Sequence, residues 1–521
     1  MHMDLPRQFN AATHFVDRHL QEGRADKVAI ECGEERVTYR QLVERVNRTG
    51  NGLRKLGVRQ EERVALLLPD TPEFAYSFFG AIKIGAVPIP MNTLLKPAEY
   101  QYMLNDSRAR VAIVSEWLYP QIEAIGRDNL RYLETIIIAG EPRADLGCLK
   151  QLQDESPAEL QAEPTCKDDP AFWLYSSGST GFPKGCVHLQ HDMVVCSELY
   201  AKATLGVTEN DRLFSVAKLF FAYGLGNGLY FSLSVGATSI LFPGSPSPPN
   251  IYGVIEKFKP TLFFSVPSNY SSLLAYHREP GPDFDLSSVR YAVSAGEALP
   301  APLYHRFKDR FGVEILDAIG STEALHMFIA NRPGAVRPGS SGQIIPGNEA
   351  RIVDENDREV ADNQIGNLLI KSEAVCAGYW NQHEKTKETF QGHWLRTGDK
   401  YYRDAEGYYW YVGRSDDMMK VKGMWVSPVE VESALLEHPL VQEAAVIGYN
   451  DANQLVKPAA YVVLKNGQNG GPELTEEIKA LLASRLAPHK CPQVIEFLSQ
   501  LPKTATGKIQ RYKLRQLVGG S

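Results

Sequence analysis

Cysteine is scarce in this chain and follows no pairing pattern: seven among 521 residues, at positions 32, 148, 166, 186, 196, 376 and 491, with no C-x-x-C spacing. That excludes a disulfide framework and a zinc knuckle, and predicts reduced thiols in a cytoplasmic protein. The N-terminal Met1-His2-Met3-Asp4-Leu5-Pro6 has no basic segment leading into an apolar run, so no signal peptide is expected. The uncharged stretch from Leu219 to Ile255 is broken repeatedly by Gly, Ser and Pro, which predicts a buried pocket wall and no membrane span. Positive charge is also lacking: 55 Lys and Arg against 62 Asp and Glu leave a net charge of −7, which argues against a general nucleic-acid binder. No internal repeat or long low-complexity run is present, and no G-x-x-x-x-G-K-[ST] motif, so a P-loop kinase or GTPase is excluded.

What is present in place of that motif is Tyr175-Ser176-Ser177-Gly178-Ser179-Thr180-Gly181-Phe182-Pro183-Lys184-Gly185. Its glycines let backbone N–H groups approach an anion, its Ser and Thr hydroxyls add donors, and Lys184 supplies charge for a polyphosphate. A second basic feature lies at the end of the chain. From Lys490 onward, Lys490, Lys503, Lys508, Arg511, Lys513 and Arg515 face one acid, Glu496, so the tail is locally +5. With Lys508 in a Thr-Gly-Lys turn, this reads as a flap that meets nucleotide phosphates.

A chain of this length exceeds what one hydrophobic core organises, and its 44% hydrophobic and 22% charged residues suit a globular enzyme. The first part alternates helical patterns (Tyr39 to Leu56, Glu73 to Ile84) with short apolar runs at 63–68, 112–114, 135–138, 212–216, 238–242, 261–266 and 290–294. Such alternation predicts parallel sheets covered by helices. Gly244 to Pro249 is expected to be a loop. After Arg414 the texture changes: Ser427 to Glu437 and Thr475 to Leu486 read as helices, 444–447 and 459–464 as strands. The expected class is α/β, with a large N-terminal domain of helix-covered sheets (1–415) and a small mobile C-terminal α+β domain (416–521).

Ile319-Gly320-Ser321-Thr322-Glu323, Arg396-Thr397-Gly398-Asp399, Gly413-Arg414-Ser415-Asp416-Asp417 and Pro502-Lys503-Thr504-Ala505-Thr506-Gly507-Lys508 follow the first loop in that order. Together the five segments resemble the successive core motifs of the adenylate-forming superfamily: acyl- and aryl-CoA ligases, adenylation domains and luciferases. The resemblance implies an ATP- and Mg²⁺-dependent ligase with coenzyme A as co-substrate. Ser177, Gly178, Ser179, Thr180, Gly181 and Lys184 would then hold ATP phosphates, Glu323 would position Mg²⁺ beside Thr322, and Asp399 with Arg414 would hold the ribose. Gly296 and Glu297, in Ser294-Ala295-Gly296-Glu297-Ala298, would face the adenine, although Ile319 stands where many members carry an aromatic residue. Lys508 would bridge carboxylate and phosphoryl oxygens during adenylation, Gly423 would approach pantetheine, and Asp416 would be the domain hinge.

Ala217 to Asn227 and Ser321 to Phe328 are similar to the benzoate-CoA ligase group in particular. By that resemblance Ala222, Tyr223, Ala295, Gly320, His326 and Met327 line a ring pocket whose small members admit a flat ring. The expected substrates are benzoate or a ring-substituted benzoate such as 2-aminobenzoate or 4-hydroxybenzoate, together with ATP and coenzyme A. A carrier protein as acceptor and a homodimer stay open. The alternatives are a free-standing enzyme loading an aryl group onto a carrier, and a non-catalytic nucleotide-binding module.

Overall fold

The computed structural model describes residues 3–143, 145–176, 183–278, 282–415, 417–421, 424–451, 455–465, 468, 470–503 and 509–518. The short apolar runs become strands because parallel strands are buried on both faces. Val111–Ser115, Thr238–Leu241 and Leu262–Ser265 are buried along their whole length. One all-parallel sheet has the order Val87–Pro90, Arg63–Leu67, Val111–Ser115, Thr135–Ala139, Gly147–Cys148. A second sheet of nine strands is parallel through its middle, from Val28–Cys32 and Thr238–Leu241 across Arg212–Ser215, Leu262–Ser265 and Tyr291–Ser294 to Ile315–Gly320. Antiparallel strands close it at both ends.

Helices Tyr39–Lys55 and Pro72–Lys83 follow the expected periodicity. The first starts at a reciprocal cap, in which the Thr38 hydroxyl accepts from the Gln41 N–H at 3.3 Å and Gln41 Oε1 accepts from the Thr38 N–H at 2.8 Å. The second is buried on nearly every side, and its Lys83 ammonium is neutralised by Asp17 at 2.7 Å. The expected loop at 244–249 is shorter than the sequence reading placed it. A helix begins at Pro248, because proline lacks only an N–H that a first helical turn leaves unpaired anyway.

A third, antiparallel sheet escaped the sequence reading. Strand Trp394–Arg403 pairs with Gly366–Lys371, Phe390–Gln391 and Tyr409–Arg414, and Glu349–Val353 lies beyond Gly366–Lys371. Its long central strand Trp394–Arg403 is partly exposed and mixes polar with apolar residues, so it carries no continuous apolar run.

The C-terminal part is a small α+β unit. Val441–Asn450, Val456–Leu464 and Val494–Phe497 form a three-stranded sheet, covered by helices Pro428–Leu435 and Pro472–Arg485. Its own core includes Val431, Leu435, Val446, Val462, Ile478 and Leu482. A cleft of about 1740 Å³ lies between this unit and the large N-terminal part. Among the described residues no helix is long and apolar enough to cross a membrane.

Candidate active site

The floor of the cleft is built by the hairpin Pro170–Ser176 and Lys184–Leu189, whose register sets Ser176 opposite Lys184. Ser177, Gly178, Ser179, Thr180 and Gly181 fall on the segment joining these strands, outside the described residues, as do Asp416, Gly423 and Lys508. Lys184 itself is placed. Its ammonium lies 3.9 Å from Glu323 Oε1, donates to the Tyr379 hydroxyl at 3.2 Å and sits 4.3 Å from the centre of that ring. Tyr379 in turn donates to Glu323 Oε1 at 2.7 Å, and the Ser176 hydroxyl donates to the same oxygen at 3.4 Å. Burial, reinforced by the Glu323 charge, pushes the Tyr379 phenol well above its usual range, so it stays a donor.

Glu323 occupies a tight turn. Leu325 has φ +62°, a left-handed value that a branched apolar residue adopts only when its surroundings impose it. The surroundings do so through the Thr322 carbonyl, which accepts from the Leu325 N–H at 3.1 Å and bonds His188 Nε2 at 2.8 Å. His188 is wholly buried, and its Nδ1 meets Asp192 Oδ2 at 2.8 Å. The Cys376 N–H adds a bond to the Glu323 carbonyl at 2.8 Å. A carboxylate oxygen facing an open polar cleft fits a hard cation, which needs few protein ligands when phosphates supply the rest. Glu323 would hold Mg²⁺ in that way.

The motifs at 396–399 and 413–417 meet across a sheet. Asp399 and Arg414 are cross-strand partners, and Arg414 Nη1 donates to Asp399 Oδ1 at 3.1 Å and to the Thr397 carbonyl at 2.9 Å. Both line the cleft, with Asp399 only 8% exposed. Gly296, Glu297, Ile319, Gly320 and Thr322 line it as well. Glu297 Oε1 accepts from the Ile509 N–H at 2.8 Å.

The residues expected at a ring pocket gather behind this cleft. Tyr223, in the turn Ala222–Leu225, donates to the carbonyls of Ser265 and Val293, each at 3.1 Å, while Ala222, Ala295 and Met327 are buried nearby in the same core. His326 is 2% exposed, with ring centres of Phe231, Tyr200 and Tyr223 at 4.5, 5.3 and 5.9 Å. Burial holds its imidazole down at about 3, against a smaller opposing pull from the Tyr223 backbone. Gly320 pairs with Met327, and a Cβ there would meet the His326 carbonyl oxygen at 2.4 Å. Gly226 is equally constrained, since its Cβ would stand 2.8 Å from His326 Nε2.

The sequence reading missed Tyr379, His188, Asp192 and Gly226. For Tyr379 and His188 no local motif exists that could have revealed them. Gly226 did offer a signal, because it sits inside the segment that resembles the ring-pocket motif.

Residues 16–380 match the AMP-binding enzyme family and residues 430–508 match the AMP-binding enzyme C-terminal domain. The chain belongs to the AMP-binding enzyme family. Within it, the chain is similar to the benzoate–CoA ligase of Thauera aromatica, 47% identical over 98% of this chain and 96% of the relative. It is also similar to the 4-hydroxybenzoate–CoA/benzoate–CoA ligase of Rhodopseudomonas palustris, 44% identical over 99% and 95%. Among solved structures, the anthranilate CoA ligase AuaEII in complex with anthranoyl-AMP superposes with a TM-score of 0.95, at 46% identity, over 99% of this chain and 98% of that one.

Proposed function

We propose that the protein is an ATP-dependent aryl-CoA ligase acting on benzoate or a ring-substituted benzoate. The observation that carries this reading is the near full-length likeness to an anthranilate CoA ligase holding an aryl-AMP. In the first half-reaction a carboxylate oxygen attacks the α-phosphorus of ATP, the bond to the β-phosphate oxygen breaks, and pyrophosphate leaves. In the second, the coenzyme A thiolate attacks the aryl carbonyl and AMP departs with the electron pair of the broken C–O bond. Bound Mg²⁺ would supply charge neutralisation for the phosphates.

Each residue's proposed task follows from its chemistry. Lys184, held by the Tyr379 hydroxyl, offers an ammonium to the outer phosphates, while Asp399 accepts from the ribose hydroxyls and Arg414 fixes its orientation. Lys508 brings a cation to the point where two anions meet, which lowers the barrier where charge builds up. The ring pocket behind Gly320 and His326 excludes water and takes the flat acid. Gly423 is assigned to pantetheine and Asp416 to the hinge between a domain at 1–415 and one at 416–521; the separate family matches on either side support that division. A cytoplasmic location agrees with seven free thiols. A carrier-protein acceptor would appear as aryl transfer to phosphopantetheinylated protein in preference to free coenzyme A.

The test is pyrophosphate release with benzoate and its amino and hydroxy derivatives, followed by thioester formation. Expected is release with at least one aryl acid and a shift to AMP and aryl-CoA when coenzyme A is added. Release with short aliphatic acids alone would overturn the reading. Lys508→Ala should cut adenylation by about 10²- to 10³-fold.

A further inference from the structure

We infer that Glu297 is a positioning residue for adenylation, acting as a latch that docks the Lys508-bearing segment onto the N-terminal part, and not solely as a wall of the nucleotide site. This rests on the reading of Lys508 as the adenylation lysine. Ile509 follows Lys508 directly, and its N–H donates to Glu297 Oε1 at 2.8 Å across the cleft. Glu297 stands just after strand Tyr291–Ser294 of the nine-stranded sheet, so its anchor is rigid.

The segment it grips is itself held as a unit. Lys503 and Ile509 form an antiparallel bridge, and the Gln510 N–H donates to the Pro502 carbonyl at 2.8 Å. Lys503 is tied by its ammonium to Glu443 at 2.8 Å. Lys503 and Ile509 are thus fixed to each other, and Ile509 is bonded to Glu297. Another hydrogen bond between the parts, from the Ser271 hydroxyl to the Gln442 carbonyl at 3.3 Å, is longer and involves no charge. A bond from a backbone N–H to a carboxylate is about twice as strong as a neutral one. The partner in this bond is a main-chain N–H, so the bond recognises the position of the backbone at Ile509.

Two half-reactions need this contact differently. Adenylation needs the segment docked, whereas transfer to coenzyme A needs the lysine withdrawn, so weakening the latch slows the first and spares the second. The conservative Glu297→Gln keeps an acceptor oxygen of similar reach. Glu297→Ala removes it.

The experiment is single-turnover kinetics of both half-reactions in the full-length chain. For Glu297→Ala the adenylation rate should fall about ten- to hundredfold, and the transfer rate at saturating presynthesised aryl-AMP should fall clearly less than the adenylation rate. Glu297→Gln should recover most of the loss. In a Lys508→Ala background, adding Glu297→Ala should cost no more than about twofold further, since the latch acts through that lysine. Equal slowing of both steps, a loss confined to the KM for ATP, no rescue by glutamine, or full additivity with Lys508→Ala would each overturn the latch. Failure of the ligase reading is separately visible as wild-type protein that forms no aryl-AMP at all.

Discussion

The Tyr379 hydroxyl stands between a cation and an anion, accepting from Lys184 and donating to Glu323. Removing it takes a hydrogen bond from a charged group on each side. Tyr379→Phe should therefore lower kcat/KM for adenylation by roughly tenfold and raise the Mg²⁺ concentration needed for half-maximal rate. Pyrophosphate release measured across a Mg²⁺ titration checks this; an unchanged Mg²⁺ dependence would detach Tyr379 from the carboxylate proposed to hold the metal. Gly320 poses a different problem. A methyl group there meets main chain, which cannot swing aside, so Gly320→Ala should destabilise the fold by about 1–3 kcal/mol as well as reshape the proposed ring pocket. Denaturant unfolding beside a specificity profile separates the two effects, and an unchanged unfolding midpoint would mean that the strand crossing relaxes.

Elements divide by how local their signals are. Parallel strands such as Val111–Ser115 were legible because burial on both faces leaves a continuous apolar run, and helix Tyr39–Lys55 because of its amphipathic periodicity. Thr38→Ala should lower stability by about 1 kcal/mol in denaturant unfolding and leave both half-reactions untouched; a change in activity would tie that distant cap to the site. The antiparallel sheet of 349–414 was not legible, since its partly exposed central strand mixes polar and apolar residues. Nor was the site complete in the sequence. Motifs named Glu323, Asp399 and Arg414, but the cross-strand register that joins Asp399 to Arg414 depends on folding. Tyr379 reaches Glu323 over a sequence separation of 56, and Ile509 reaches Glu297 over one of 212; no spacing rule covers such distances.

At the scale of the whole molecule, buried neutral histidines contribute to the response to acid. Burial holds His19 down at about 4, opposed by its bond to the Leu233 carbonyl, while the unfolded chain takes up that proton near 6.5. The stabilising contribution is complete above 6.5 and is lost as pH falls toward 4, because the unfolded state then binds the proton that the folded state refuses. His14 and His326 are each held at about 3 and act in the same sense, whereas Asp70, raised to about 6 by burial, opposes them below that pH. His19→Gln, which can keep the bond to Leu233, isolates one member. Its stability relative to wild type should improve by up to about 3 kcal/mol between pH 6.5 and 4, read from paired unfolding curves. Parallel curves would show that His19 takes up its proton in the folded state.

The pairing of Asp399 with Arg414 has a mechanical side. Arg414 ends its strand immediately before the proposed pivot at 416, and the chain is pinned there on both sides: the Ser415 N–H donates to the Gly398 carbonyl at 3.0 Å and the Asp417 N–H to the Arg414 carbonyl at 3.1 Å. In a body that swings, each point travels in proportion to its distance from the axis. A group held at the hub of the proposed rotation barely moves, while the rim at Ile509 sweeps a long arc. The ribose of an aryl-AMP gripped at the hub would stay where the first reaction left it, so the intermediate need not be handed over: the machinery around it changes and the carbonyl keeps its address.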